Sequence, residues 1–331
     1  MTLKVGEAAG RLTRSWRAWT APGALILLYH RVAETPSPWY QLSVTSARFL
    51  EHLEVLRRLA YPISLGALAA RLRQGRVPRK AVALTFDDGY ADNLRVAKPL
   101  LERHAVPATV FVTSGLVGSS EGFWWDELER HVFGAPRLPE RVRVVTDGQV
   151  HEFGLPTYGD GDAGGARRHL VAALDRLMRR ASPERRREIL AQLRAQVPAD
   201  TTLGADRVLT ADELVRLADG DLIEVGAHTV THPVLSGLSP AVQRAEVAGS
   251  KRALEAMLGR PVVAFSYPFG TTDDFDGDSV AIAREAGFVC ACTVLPRAVR
   301  SGADAYRLPR FAVRDWDGDM LARRLRAWWG C

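Results

Sequence analysis

Seven short stretches of the chain, "ALILLY", "AVALTF", "ATVFV", "LIEVG", "VVAFSY", "FVCACTV" and "RLPRFAV", are apolar and β-rich, most of them on consecutive rather than alternate positions. A strand that is hydrophobic on successive residues is covered on both faces, the condition of a parallel sheet wrapped by helices. Helical patterns with recognisable ends lie between these runs. Thr210 and Glu213 are spaced as a capping box, and Ser239-Pro240 opens a helix that Gly259 can close. The alternation predicts an α/β fold with parallel strands, and "YPISL" offers an eighth. No glycine-rich dinucleotide loop follows the first strand, which disfavours a Rossmann-type open sheet. The expected fold is a distorted (β/α) barrel of about seven parallel strands, with its active site at the strands' C-terminal mouth.

The rhythm breaks between about residues 118 and 209, where aromatic "FWWDELE", glycine-rich "YGDGDAGG" and two arginine-rich helical patterns occur. This reads as a helical insertion on one barrel loop, within a barrel domain spanning residues 24–331. Residues 1–23 form a basic amphipathic segment suited to packing on the domain or to peripheral association with an anionic membrane. No apolar run is long enough to span a bilayer. Three cysteines and no recognisable secretory signal point to the cytoplasm, and in the peripheral case to the inner face of the membrane. The net charge of +6 comes mainly from the arginine-rich run, and without a nucleic-acid motif or aromatic interleaving it does not indicate a nucleic-acid partner.

Polar residues mark the strand ends. "AVALTF" ends in Asp87 and Asp88, and "LIEVGA" leads into "HTVTHP", with His228 and His232 spaced for chelation by a short loop. "LILLYHRV" delivers His30, and "AFSYPFG" ends in a turn that can aim the Phe269 backbone N–H into the mouth. Taken alone, Asp88-Gly89 is a common turn signal, and a lone HxxxH is more often structural. Their convergence on one barrel mouth reverses both readings. Two adjacent carboxylates could also suggest a glycoside hydrolase. Such pairs must straddle the scissile bond about 5 to 9.5 Å apart, and that chemistry leaves the two histidines unexplained. A non-catalytic sugar-binding protein is the other alternative. Trp124 and Trp125 could stack on a sugar or simply pack the insertion.

In order along the chain, "TFDDG", "HTVTHP" and "YPFG" resemble the motifs of the polysaccharide deacetylase-like (NodB-homology) proteins of carbohydrate esterase family four. The resemblance covers roughly residues 24–118 and 209–313, and it implies a distorted barrel and metal-dependent removal of N-acetyl groups from an amino-sugar substrate. It implies Asp87 as general base, and Asp88, His228 and His232 as ligands of a divalent metal, zinc being the expectation. Two neutral imidazoles and one carboxylate would leave Zn²⁺ positive, with an open position. The Phe269 N–H would help hold the oxyanion. Two departures follow. No histidine comes after His232, so the family's acid is replaced by His30 in a circularly permuted-type arrangement, with Asp273 or Asp274 as its orienting carboxylate. Ser266 stands where an arginine that orients the base is expected, and Arg310 in "RLPRF" is the substitute; Tyr267 joins it as a candidate around the substrate.

Overall fold

The structure, a computed structural model, describes residues 23–34, 37–155, 163–198 and 207–330. The basic amphipathic segment at the N-terminus and most of "YGDGDAGG" lie outside the described residues. Seven parallel strands form the main sheet: β1 Gly23–Tyr29, β2 Ala81–Phe86, β3 Ala108–Val112, β4 Ile223–Ala227, β5 Ala264–Ser266, β6 Cys290–Cys292 and β7 Phe311–Ala312. They pair in chain order from β1 to β6, and β7 returns beside β1, with Leu27 opposite Phe311. The two edges meet just before β7, where Leu308 bridges in parallel to Cys292. The curved sheet is therefore a distorted (β/α) barrel. The "YPISL" run contributes the two-residue strand Tyr61–Pro62, parallel to β2, and Val299–Arg300 pairs antiparallel with the start of β1.

Among the described residues ten α-helices accompany the strands: α1 Ser46–Leu59, α2 Leu65–Arg73, α3 Lys98–His104, α4 Trp124–Gly134, α5 Ala163–Met178, α6 Pro183–Gln196, α7 Ala211–Leu217, α8 Pro240–Leu258, α9 Gly277–Glu285 and α10 Gly318–Trp329. Both expected caps form. Thr210 and Glu213 exchange the two bonds of a capping box, Ser239 caps α8, and Gly259 ends it in the left-handed conformation at φ 65°.

Period-two alternation decides which residues point inward. One strand face packs on the helices through residues such as Leu25, Leu27, Val82, Leu84, Phe86 and Val110. The other carries Ala24, Ile26, Ala83, Phe111, Ala264, Cys290 and Cys292. Many of these inward residues are small, and Leu65, Leu68, Ala69 and Leu72 of α2 close the lower end against them. Glu224 anchors that plug by accepting hydrogen bonds from Gly66 N and Thr109 Oγ1. Continuing the same parity upward places Thr85 and Asp87, His228, Ser266, and Arg310 on the inner face.

The insertion has a core of its own. Trp124, Trp125, Leu128 and Val132 of α4 pack with Leu170 and Leu174 of α5, Ile189 and Leu193 of α6, and the antiparallel hairpin Arg141–Thr146/Gln149–Gly154. It is clamped to the barrel mouth: Arg179 donates to both oxygens of Asp274, and Arg180 donates to the carbonyls of Ser236 and Asp273.

The Phe111 ring occupies the space over Gly226, its direct partner on β4. A Cβ on Gly226 would overlap that ring and lie 3.1 Å from the Ala264 carbonyl. Gly226→Ala is expected to lower unfolding stability by ~1–3 kcal/mol through overpacking. Urea denaturation checks this, and an unchanged midpoint would contradict the tight inner layer.

Candidate metal and hydrolytic site

At the upper end of the barrel interior the charge of Arg310 meets that of Asp87. The guanidinium is fully buried and grips the carboxylate with two bonds, Nη1 to Oδ1 and Nη2 to Oδ2, each 2.7 Å. Its remaining donors reach Thr85 Oγ1 at 3.1 Å, Ser266 Oγ at 2.8 Å and the Thr293 carbonyl at 2.9 Å. One side chain from the approach to β7 thus ties together β2, β5 and the end of β6. Burial would raise the Asp87 carboxyl, but the paired Arg310 charge outweighs it, and the group is held down at about 2. Arg310 therefore orients Asp87 here, with Ser266 completing the contact through its hydroxyl.

Beside this pair, Asp88, His228 and His232 each turn one ligand atom toward a common point, and the three atoms lie within 4.8 Å of one another. The Nε2 atoms of the two histidines are 3.2 Å apart, and they stand 3.7 Å (His228) and 3.5 Å (His232) from Asp88 Oδ1. A carbonyl only accepts, so the 2.8 Å contact from His228 Nδ1 to the Ser266 carbonyl places the proton on Nδ1 and leaves Nε2 with its lone pair facing the cluster. Burial lowers both imidazoles, well below the usual value for His232, so both are neutral, the ligand form. Burial and the neighbouring Asp87 and Asp126 charges raise Asp88 well above the ordinary range, a penalty that a cation at this point would relieve. The donor set fits a divalent cation.

The backbone around the cluster is strained where it must aim these groups. Asp88, Thr229, His232 and Phe269 all have positive φ, at 78°, 62°, 57° and 59°. The "HTVTHP" loop is held by Glu246 of α8, which accepts from Val230 N, Thr231 N and Thr231 Oγ1, while Thr229 Oγ1 accepts from His232 N.

A cavity of about 240 Å³ opens above the cluster. His30, Asp87, Asp88, His228, His232 and Phe269 line it together with Trp124 and Trp125 of the insertion, so eight sequence-derived candidates line one cavity. Phe269 N–H makes no hydrogen bond among the described residues. Trp125 is wedged between the Phe123 ring, stacked at 4.4 Å, and the edge of His232 at 4.7 Å, and its Nε1 donates to Tyr90 Oη. Burial lowers His30 to about 4 despite the opposing pull of Asp87, so its imidazole is neutral.

Three expectations are corrected. Tyr267 is of the opposite parity to Ser266, so its ring turns out of the barrel interior, stacks on Phe275 at 4.2 Å and donates to the Tyr306 carbonyl; it is a packing residue. Asp274 does not orient His30, because its carboxylate is taken by Arg179 and by Thr271 N and Oγ1. Asp273 is exposed, and the carboxylate that acts on His30 is Asp87. Tyr40, Asp175, Arg179 and Arg314 also line the cavity without having been singled out. Only the fold brings them there: Tyr40 Oη donates to Asp175 Oδ1 across 135 residues, and Glu129 holds the Tyr40 loop by accepting from Ser37 Oγ, Trp39 N and Tyr40 N.

The sequence profile of the polysaccharide deacetylase family matches residues 74–162 and 178–291, more than half of the chain. The chain belongs to the polysaccharide deacetylase family. YxkH of Bacillus subtilis (strain 168), a protein named as a polysaccharide deacetylase, is 22% identical over 304 residues, covering 91% of this chain and 75% of YxkH. The poly-beta-1,6-N-acetyl-D-glucosamine N-deacetylase of Escherichia coli K12 is 29% identical over 137 residues, 40% of this chain and only 19% of that protein. In fold, the chain is similar to the Streptococcus pyogenes deacetylase PplD, solved in complex with acetate, with a TM-score of 0.60 and 19% identity over 92% of this chain and 99% of that one.

Removing Arg310 would strand a buried carboxylate. Arg310→Met is expected to cost ~3–5 kcal/mol at pH 7. In the wild type the Asp87 carboxyl lies below its unfolded value, so its stabilisation is present above about pH 4 and is lost only as pH falls toward 2. In the variant burial acts alone, the carboxyl rises, and the variant recovers stability on acidification. Urea unfolding at pH 7 and pH 4 should show the gap narrowing; a gap independent of pH would contradict the pairing.

Proposed function

We propose that this family member is a metal-dependent carbohydrate N-deacetylase that hydrolyses the acetamido group of an amino sugar. The observation that carries the reading is the convergence of Asp88, His228 and His232 on one point beside the Arg310-held Asp87. The family supports a carbohydrate deacetylase, and the E. coli relative is one by name. A cavity of about 240 Å³ suits an acetamido group and part of one sugar ring.

A divalent cation held by Asp88, His228 and His232, zinc being our choice, would act as a Lewis acid toward the acetyl carbonyl and acidify a water. The residues of the chain divide the remaining work. Asp87, ionised at neutral pH, accepts the water's proton from its place beside the cluster, its Oδ2 lying 3.8 Å from His228 Nε2. Its low pKa means that it gives the proton up readily. His30 is neutral before reaction and feels the Asp87 charge, so it is suited to take that proton and deliver it to the departing amine. The Phe269 N–H, in its left-handed turn, donates toward the developing oxyanion. Water is consumed, acetate leaves, and the amine carries away the transferred proton. Two histidines gathered beside Asp88 have no part in a glycosidase mechanism, which argues against that reading.

Acetate release from a panel of N-acetylated sugars and oligosaccharides tests the reading. Release should stop with EDTA and return with zinc; Asp88→Asn or His228→Ala should abolish it, and Asp87→Asn should nearly do so. Chelator-resistant activity would point to a glycosidase or another chemistry. His30→Ala should lower kcat on the order of 10² to 10⁴-fold, and undiminished turnover would remove His30 from the scheme.

A further inference from the structure

A second concavity, of about 570 Å³, lies against the first, and Trp124, Trp125 and His232 line both. Its outer wall comes from α4 and α6 of the insertion. There Arg186 is buried, with 5% of its surface exposed. Its Nε donates to the Met178 carbonyl and its Nη2 to the Arg179 carbonyl, both at 2.9 Å, and its guanidinium sits 5.3 Å from the centre of the Trp124 ring. Among the described residues, Nη1 makes no hydrogen bond and no carboxylate lies within ion-pair distance of this side chain. Glu246 exerts an opposite charge on it, but its oxygens are occupied by the backbone and hydroxyl of the "HTVTHP" loop.

A buried cation with no counter-ion is costly, and two carbonyls and an aromatic face offset only part of that cost. Burial lowers Arg186 to about 10, which leaves it cationic at neutral pH. Arg187 and Arg194 of the same helix line the cavity too. Of its two carboxylates, Glu127 is neutralised by Arg194 and Glu121 is exposed. The charge of Arg186 also acts on the His232 imidazole, so this cation is within electrostatic reach of the metal cluster.

We propose that this cavity is an oxyanion subsite of the active centre, in which Arg186, with Arg187 at the rim, receives a phosphate or carboxylate group carried by the acetamido-sugar substrate. The acetamido half of the statement rests on the deacetylase reading; the anion half rests on Arg186. Guanidinium offers directed paired donors to either oxyanion, which a diffuse basic surface does not.

Calorimetric titration of the full chain with three probes tests it: N-acetylglucosamine, N-acetylglucosamine 1-phosphate and N-acetylglucosaminuronic acid. At least one anionic probe should bind about tenfold or more tightly than the neutral sugar. The stronger of the two identifies the source of the oxyanion. Arg186→Met should abolish the preference. Arg187→Glu, a surface change that carries the test should Arg186→Met fail to fold, should weaken the preference severalfold. Equal binding of all three probes by the wild type would overturn the proposal. So would a preference that survives Arg186→Met yet is lost in Asp88→Asn, which would put the anion at the metal cluster. Intact anion preference with no acetate released from any probe would instead sink the deacetylase reading and leave the subsite standing.

Discussion

The buried pair of Arg310 and Asp87 is the interaction around which the upper barrel is arranged. A guanidinium in a protein interior is tolerable only where nearly every donor is used, and Arg310 meets that condition with five contacts drawn from β2, the residue after it, β5 and the segment after β6. Such a pair adds little net stability compared with a well-packed apolar interior. Its consequence is positional: Asp87 is fixed in place and ionised beside a cluster of neutral imidazoles. The small residues of the inner layer, and Gly226 beneath the Phe111 ring, leave the room in which Arg310 lies 5.6 Å from that ring.

The insertion changes what such a barrel mouth can recognise. Its aromatic helix presses Trp125 against His232, and its arginines latch onto Asp274 and the Ser236 turn. It thereby supplies one wall of the first cavity and most of the second. The barrel provides the groups to which hydrolysis is assigned in our proposal, while the insertion provides much of the surface on which a substrate would rest. The arginine-rich run is accordingly not a uniform solvated face: Arg187 is exposed, whereas Arg186, one residue before it, is buried against Trp124.

The strands were legible because continuous apolar runs have one economical explanation, burial on both faces. The cluster was legible because its carboxylates and histidines stand immediately after such runs. The substitution of Arg310 for the missing arginine was also within reach, since "RLPRF" brings an arginine to the approach of a strand. Tyr267 was misassigned because it belongs to the same short motif as Ser266 and Phe269, although strand parity alone would have turned its ring away. An orienting carboxylate for His30 was sought in an aspartate-rich turn, but Asp274 is taken by Arg179 and the carboxylate charge that His30 feels is that of Asp87. Tyr40, Asp175 and Arg179 left no local signal, because each reaches the cavity through contacts spanning dozens of residues. The left-handed backbone at Phe269 was hidden, since a bulky aromatic rarely adopts it, whereas Asp88 and His232 belong to residue types that visit that region more often.

All of the proposed chemistry depends on one cation shared by Asp88, His228 and His232. Zinc-edge X-ray absorption on the zinc-loaded protein tests this most directly. The account predicts one tightly held ion per chain with two imidazole nitrogens and carboxylate oxygen at about 2.0 to 2.2 Å, and loss of that signature in His228→Ala. Substoichiometric zinc, or a first shell built from cysteine sulfur or from solvent alone, would contradict it.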